Sequence, residues 1–318
     1  MRAATLVAPR RFEIRHHDPP SPGRDDVVLA VRGCGLCASN LGPWAGLPGV
    51  SYPMAPGAPG HEVFGRIEAV GEGVQGLRVG EPVAAISYNG YAEYDVAPAL
   101  AVVPIPLNIA DRPVPGEAVA CAVNVDRRMG ITSADTVVVI GVGFLGALLI
   151  GLARRHAPGA VIALSRRQTG LDIAARMGAD HVLPLDDAAI ARVAELTDGR
   201  LADVVVEVTG RAEPLRLAAE MTRVRGRLVI AGYHQDGPRT IDLQLWNWRG
   251  LDVINAHERQ LSVYRSGLEE ALCLISEGEI DLDPLLTHSY ELEEIEAAFQ
   301  TAEARPAGFI KAIVEVER

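Results

Sequence analysis

The sequence predicts an α/β protein in which a β-rich domain precedes a doubly wound parallel sheet. Short β-branched runs separated by glycine and proline fill the first 115 residues or so. From about residue 135 to residue 256, strand-like runs alternate with helical runs. Such alternation is typical of a parallel sheet with helices on both of its faces.

The amino-terminal part predicts a small barrel or sandwich with long loops. Residues 27–31 and 63–67 are short and β-branched, and Gly and Pro residues follow closely, as in the segment 56–60. Closely spaced turn signals between short strands favour this architecture.

The central part predicts six strands with helices such as 170–177 and 213–222 between them. The strands are expected at residues 137–140, 161–164, 181–183, 204–208, 228–231 and 251–255. Six strands match the doubly wound dinucleotide-binding fold. After them we expect two amphipathic helices, at 266–277 and 292–303, and a last strand at 309–316.

Composition narrows the classes of function. The net charge of -11 argues against nucleic acid and anionic membranes as partners. Four cysteines are too few for a disulfide framework in 318 residues, which favours a reducing, cytoplasmic location. The uncharged stretch 136–153 is interrupted by glycines, so we interpret it as a strand, a turn and a buried helix, and not as a membrane span.

A phosphate-binding loop follows the first strand of the central part. Gly141, Gly143 and Gly146 satisfy G-x-G-x-x-G, and Phe144 and Leu145 open the next apolar helix. The glycines allow a tight turn, close approach of a pyrophosphate and close packing of helix on strand. The helix N-terminus then favours the phosphates, so this segment predicts dinucleotide binding.

The next strand lacks the acidic residue that would bond the ribose of NAD. It runs instead into Ser165, Arg166 and Arg167. A hydroxyl and two guanidinium groups suit a 2′-phosphate, which predicts NADP(H) in preference to NAD(H). The alternative is that one or both arginines are solvated surface residues.

Four residues have the chemistry of zinc ligands. Cys37 lies in the glycine-bounded loop 33–40, His61 and Glu62 follow in the triplet 60–62, and Glu117 precedes the central part. A catalytic zinc takes three such ligands and a water. Taken singly, each has an ordinary structural explanation, as a core cysteine, a hydrogen-bonded loop histidine or a surface glutamate.

Together with other motifs, these residues resemble the zinc-dependent alcohol dehydrogenase branch of the medium-chain dehydrogenase/reductase family. The resemblance spans essentially the whole chain and includes, in family order, the motifs at 33–40, 60–62, 69–74, 79–83, 90–94 and 141–146. It implies a GroES-like catalytic domain over 1–117, a Rossmann nucleotide-binding domain over 118–262, and a return to the catalytic domain over 263–318.

The resemblance also implies roles for single residues. Cys37 and His61 correspond to the first two zinc ligands, and Glu117 to a third ligand that varies in the family. Glu62 corresponds to a carboxylate behind the metal that binds zinc directly in some members, so the residue that completes the site stays open. Ser39 corresponds to the hydroxyl that bonds the reacting alcohol. The implied reaction interconverts an alcohol and a ketone or aldehyde by hydride transfer with NADP(H).

The chain departs from the family at three places. Asn40 stands where the family usually has Asp, and Gly42 stands where a proton-relaying His is common. The four-cysteine lobe that holds a structural zinc is absent, because residues 84–89 run straight to Gly90. We therefore expect one catalytic zinc per chain.

Two rival functions remain. One is a zinc-free quinone or enoyl reductase of the same fold, and the other is a non-catalytic NADP(H)-binding protein.

Two further features predict what the protein binds. The polar triplet 257–259 after the last central strand indicates a polar substrate. The apolar strand 251–255 offers a sheet edge that needs covering, which predicts a homodimer or homotetramer.

Overall fold

The computed structural model describes residues 1–316, which form two compact units. Unit 1 comprises Met1–Ala120 together with the chain from Arg259 onward, and unit 2 comprises Cys121–Glu258. Strands and helices are numbered below in chain order.

Unit 1 consists mainly of antiparallel strands. Its strands are β1 (Arg2–Ala8), β2 (Arg11–His16), β3 (Asp26–Gly35), β4 (Glu62–Val70), β5 (Pro82–Ile86), β6 (Tyr94–Pro98), β7 (Val102–Pro104), β14 (Leu286–Glu291) and β15 (Lys311–Glu315). Its helices are α1 (Leu41–Ala45), the start of α2 (Gly116–Met129), α8 (Leu261–Ser276) and α9 (Ile295–Ala304). Seven strands form one sheet in the order β14-β15-β3-β4-β5-β7 with β6 beside β3, and β1 pairs with β2.

The core of unit 1 is organised around one aromatic ring. Phe299 of α9 is fully buried, and its ring centroid lies 5.7 Å from that of Trp44 and 5.7 Å from that of Tyr91. Phe12 contacts the same ring at 4.9 Å. The helix contributed by the carboxyl-terminal segment therefore completes the core of the amino-terminal strands.

Unit 2 is a six-stranded parallel sheet, as predicted. Its strands are β8 (Thr136–Ile140), β9 (Ala160–Ser165), β10 (His181–Pro184), β11 (Ala202–Glu207), β12 (Thr222–Ile230) and β13 (Asp252–Asn255). Its helices are α3 (Phe144–Arg155), α4 (Gln168–Arg176), α5 (Ala189–Leu196), α6 (Ala212–Met221) and α7 (Leu243–Arg249), besides the end of α2. The order β10-β9-β8-β11-β12-β13 is that of the doubly wound dinucleotide fold.

Strand β12 begins six residues earlier than the pattern of apolar residues predicts. Its first half carries Arg223, Arg225 and Arg227, which conceal the strand in the sequence. Arg223 pairs with Asp203, and Arg227 pairs with Asp135 at 2.6 Å. Long-range ion pairs of this kind accommodate charge at the entry to a sheet, and a local sequence pattern does not contain them.

The uncharged stretch 136–153 separates into β8 and the first ten residues of α3, with Gly141 to Gly143 between them. Among residues 1–316, no helix combines the length and apolarity that crossing a membrane requires.

Candidate active site

Two strand ends bring three of the predicted zinc ligands together. β3 ends at Gly35 and leads through Cys37 into a short helical turn, Ala38–Asn40. β4 begins at Glu62, directly after His61, and Gly35 and Glu62 are paired in the antiparallel register. The Sγ of Cys37, a ring nitrogen of His61 and a carboxylate oxygen of Glu62 consequently lie within 4.8 Å of one another.

Backbone and amide groups orient His61. Its Nδ1 lies 3.0 Å from the carbonyl oxygen of Pro59, so Nδ1–H donates there and Nε2 is the nitrogen left for a ligand. Such a bond to the remote ring nitrogen is the usual support of a metal-binding histidine.

Asn40 connects this histidine to the cysteine loop. The side chain is 2% exposed, and its Oδ1 accepts from the backbone N–H of Cys37 at 3.2 Å and from the hydroxyl of Tyr91 at 2.9 Å. Its Nδ2 donates to Pro59 O at 2.9 Å and lies 3.2 Å from Nδ1 of His61. The residue that replaces the family's Asp therefore makes neutral contacts beneath both predicted ligands.

Glu62 is held in place by a buried lysine. Lys311 of β15 is 5% exposed, Glu62 is 1% exposed, and the ammonium Nζ lies 2.5 Å from both carboxylate oxygens. Its hydrogen bond goes to Oε1, and Oε2 takes part in the same buried ion pair. Gly35 makes room for this group, because a Cβ there would lie 1.9 Å from Oε2.

The donor set fits a divalent cation. Burial alone lowers the pKa of His61, but the hydrogen bond with Cys37 and the charges of Cys37, Glu117 and Glu62 outweigh it and raise the pKa to about 10. The site therefore draws positive charge toward its centre. Cysteine, histidine and carboxylate side chains are the ligand types that zinc prefers.

Glu117 lies near these three residues but outside the group that converges within 4.8 Å. It sits in the first turn of α2, is 7% exposed, and accepts a hydrogen bond from the hydroxyl of Tyr264 in α8. Burial raises the pKa of this carboxyl group, while the charge of His61 and the Tyr264 hydrogen bond lower it. In this arrangement Glu62, and not Glu117, is the nearer third donor.

Ser39 occupies the middle of the turn that follows Cys37, and its side chain is half-buried. Ser39 follows the predicted ligand Cys37 by two residues in the sequence. Its assignment as the group that bonds the reacting alcohol stays a prediction.

The glycine-rich segment forms the predicted turn between β8 and α3. Gly141 has φ of +98°, and a Cβ there would meet the Thr209 side chain at 2.4 Å. A Cβ on Gly146 would meet the carbonyl oxygen of Gly141 at 2.1 Å, so the helix packs close to the turn. Gly143 precedes Phe144 and Leu145, and a Cβ there would meet nothing within 4 Å, which leaves space for a pyrophosphate to approach.

Ser165, Arg166 and Arg167 lie where β9 gives way to α4. The Ser165 hydroxyl is bonded to the backbone N–H and carbonyl of Arg167, both at 3.2 Å. Arg166 is largely exposed and pairs with Glu213 of α6. Arg167 is half-buried at the N-cap of α4. Glu213 therefore brings an acidic group to this corner. The residues next to Ser165 in the sequence give no sign of it, because Glu213 lies on α6.

Sequence reasoning missed Lys311, Tyr264 and Glu213. Lys311 and Glu62 are 249 residues apart, and Tyr264 and Glu117 are 147 residues apart. One signal was available for the lysine, because it is the single charge in the apolar run 309–314. For Tyr264 and Glu213 the sequence carries no such signal.

Two family descriptions match the chain. Residues 23–107 match the alcohol dehydrogenase GroES-like domain, and residues 145–273 match the zinc-binding dehydrogenase family. Together they cover more than half of the chain, in the order that the two units have along the sequence.

Similar proteins agree with these matches. A sorbitol dehydrogenase from Halalkalibacterium halodurans is 26% identical over 93% of this chain and 94% of its own. A 2-dehydro-3-deoxy-L-galactonate 5-dehydrogenase from Pseudoalteromonas atlantica is 26% identical over 99% and 98%. The crystal structure of a putative zinc-binding dehydrogenase from Sinorhizobium meliloti 1021 bound to NADP superimposes with a TM-score of 0.84 at 24% identity, covering 99% and 98% of the two chains.

A GroES-like unit with converging cysteine, histidine and glutamate, in one chain with a doubly wound parallel sheet, is typical of a class of oxidoreductases. The chain belongs to the zinc-type alcohol dehydrogenase branch of the medium-chain dehydrogenase/reductase family. The predicted family and fold class are therefore confirmed, and the enzymatic class that follows is oxidoreduction of alcohols and carbonyl compounds.

Proposed function

We propose that this protein is a zinc-dependent dehydrogenase that oxidises a polar alcohol to a ketone or aldehyde, or reduces the carbonyl compound, with NADP(H). The observation that carries the proposal is the convergence of Cys37, His61 and Glu62, with Nδ1 of the histidine bonded to Pro59 O so that Nε2 is left for a ligand. A non-catalytic nucleotide-binding protein has no need of such a set.

In this proposal Cys37 and His61 hold one zinc ion and a carboxylate completes the site. Glu62 is the better supported carboxylate, because an oxygen of Glu62, and none of Glu117, lies within 4.8 Å of the donor atoms of Cys37 and His61. Glu117 remains the alternative. When bound, zinc supplies Lewis-acid polarisation of the substrate oxygen.

Ser39 handles the proton of the alcohol. A hydroxyl can accept that proton while donating its own onward, which suits a residue beside the reacting oxygen. Gly42 provides no relay side chain, so the proton leaves by water, by the cofactor ribose or by another side chain.

The cofactor binds to unit 2 through the turn at Gly141, Gly143 and Gly146, and the nicotinamide accepts or supplies the hydride. The absence of an acid at the end of β9 supports NADP(H), and Arg167 is the better placed of the two arginines for the 2′-phosphate. Arg166 must break its ion pair with Glu213 before it can bind the phosphate. That cost reduces its contribution to the free energy of NADP(H) binding.

A polyol or sugar derivative is the substrate class we favour. Two similar dehydrogenases are named for sorbitol and for a deoxy sugar acid. His257, which opens the polar triplet after β13, stacks on the exposed Tyr233 with ring centroids 5.7 Å apart. Such a pair suits a hydroxylated ligand better than an aliphatic one.

The assembly that we propose is a homodimer or homotetramer. β13 is the outer strand of its sheet, with no further partner strand within residues 1–316. An uncovered edge of this kind favours pairing with a second chain.

The test is a screen for NADP⁺ reduction by zinc-loaded protein across simple alcohols, polyols and sugar alcohols, run in parallel on Ser39→Ala. We expect turnover of a polyol by the unaltered protein. Ser39→Ala should lower kcat/KM by roughly 10²- to 10⁴-fold, the usual range for a positioned proton-transfer group. Zinc content and NADP⁺ affinity should be nearly unchanged.

Two outcomes would contradict the proposal. Reduction of a quinone or enone by protein that retains full activity without zinc would favour the zinc-free reductase. Near-normal turnover by Ser39→Ala with a lowered melting temperature would mean that Ser39 only supports its turn.

A further inference from the structure

The segment Asn89–Tyr91, here called the support loop, packs against the turn that carries His61. The N–H of Gly90 donates to Gly60 O at 2.9 Å, and the N–H of Tyr91 donates to Gly57 O at 3.0 Å. Both acceptors belong to the turn that leads directly into His61.

The support loop and the turn at residues 57–61 pack too closely for one to move without the other. Gly57 has φ of +83°, and a Cβ there would lie 2.0 Å from the carbonyl oxygen of Asn89. A Cβ on Gly60 would lie 2.8 Å from the backbone nitrogen of Tyr91. A shift of the support loop must therefore shift the turn as well.

The support loop also reaches the cysteine side of the site. The hydroxyl of Tyr91 donates to Asn40 Oδ1, which in turn accepts the backbone N–H of Cys37. One loop thus stands behind both predicted ligands, His61 through its turn and Cys37 through Asn40.

A buried carboxylate anchors the first residue of the support loop. Asp95 of β6 is 3% exposed, and β3 holds its backbone through the pairing of Asp95 with Leu29. Its Oδ2 accepts the N–H of Asn89 at 3.1 Å, and its Oδ1 accepts the N–H of Val96 at 2.7 Å. Burying a carboxylate costs free energy unless such donors satisfy it. We therefore expect Asp95 to have a structural or functional role here.

We propose that Asp95 is a positioning residue for the metal centre: it fixes the support loop, and through that loop it sets the orientation of His61 and of the Cys37 turn. The inference rests on the proposed function, because it assumes that these residues bind a metal. Asp95 itself touches neither metal nor substrate in this account.

The experiment compares Asp95→Ala and Asp95→Asn with the unaltered protein, using Co²⁺ alone as the metal probe. In metal-free protein, amide exchange at Gly90 and Tyr91 should become faster in Asp95→Ala, because the support loop that carries these two donors loses its bond to Asp95. The Co²⁺ dissociation constant should rise about 10-fold or more, the lower end of the range for groups that orient metal ligands. The visible spectrum of bound Co²⁺ should change.

Asp95→Asn keeps only one acceptor oxygen for two backbone donors, so its effect should be intermediate. It also keeps the test open if the alanine variant fails to fold. Asn89→Ala removes only a 3.5 Å side-chain contact to Asp95 and keeps the backbone bond, so its Co²⁺ affinity should stay within about twofold.

Asp203→Ala in unit 2 controls for general destabilisation. It removes a carboxylate that accepts the N–H of Thr136 at 2.7 Å and pairs with Arg223, remote in sequence from the metal residues. It should lower the melting temperature and leave Co²⁺ affinity unchanged.

Unchanged Co²⁺ affinity and spectrum in both Asp95 variants, with the unaltered protein binding Co²⁺ normally, would overturn the inference alone. An equal loss of Co²⁺ affinity in Asp203→Ala would overturn it too. If the unaltered protein binds no Co²⁺, the proposed function fails and the inference fails with it.

Discussion

At the scale of single residues, the candidate site depends on groups that lie behind the three candidate ligands. Asn40 fixes the backbone of Cys37, Pro59 O fixes the tautomer of His61, and Lys311 fixes Glu62. Each of these contacts limits how the donor can move when an ion binds or leaves. Preorganisation of this kind is what separates a binding site from a chance cluster of polar side chains.

Gly35 is the residue whose alteration tests the Glu62 pocket most cleanly. In Gly35→Ala the new Cβ would lie 1.9 Å from Glu62 Oε2, so the carboxylate must leave its place beside Lys311. Disrupting a buried ion pair in this way should lower the free energy of unfolding by about 3–5 kcal/mol. Co²⁺ affinity should fall as well, if Glu62 completes the site.

The matched control is Gly159→Ala, where the nearest atom to a new Cβ would be 3.5 Å away. Urea titration and Co²⁺ titration of both variants give the comparison. If the two variants prove equally stable, Glu62 does not need the space that Gly35 leaves beside its carboxylate. A loss of stability without loss of Co²⁺ affinity would instead favour Glu117 as the third ligand.

At the scale of secondary-structure elements, the sequence predicted most of the fold because the central strands of unit 2 are apolar and buried. β8, β9 and β11 contain no exposed residue. The early start of β12 could not be predicted, because its arginines find their carboxylate partners only in the folded chain.

The same limit applies to the candidate site. Cys37, His61 and Glu62 were predictable as candidates because Cys37 stands in the loop motif 33–40 and the other two stand in the triplet 60–62. Lys311, Tyr264 and Asp95 act through contacts that join distant or unrelated elements, and spacing along the chain does not reveal such contacts. Local chemistry therefore indicated the candidate ligands, while tertiary structure was needed to find the groups that hold them.

The corner between β9 and α4 sets cofactor preference in our account. Replacing Arg166 and Arg167 together by Ala should weaken NADP⁺ binding by about 2–3 kcal/mol, the scale of one or two hydrogen bonds between charged groups. NAD⁺ binding should change little. Isothermal titration with both cofactors measures the difference.

Glu213→Gln is the companion variant, because it releases Arg166 from its ion pair. It should strengthen NADP⁺ binding a few-fold and leave NAD⁺ unaffected. Equal affinity of the unaltered protein for the two cofactors would sink the proposed preference, whatever the variants do.

At the scale of the whole molecule, assembly is the property to measure. We expect a dimer or a tetramer by light scattering at micromolar concentration, formed through the edge strand β13. Ile254→Lys places a charge on that edge, a feature that blocks strand pairing in natural sheets, and should shift the protein toward monomer.

Val224→Lys serves as the control, since Val224 is 61% exposed and lies on β12, which is not the edge strand. It should leave the assembly unchanged. A monomer in the unaltered protein would rule out this part of the proposal.

Metal content tests the central claim most directly. The unaltered protein, reconstituted with zinc and desalted, should contain one zinc per chain by elemental analysis. Cys37→Ala should contain none and keep its circular dichroism spectrum, because a catalytic site contributes less to folding than a structural one. Two zinc ions per chain, no zinc after reconstitution, or full zinc retention in Cys37→Ala would contradict the account.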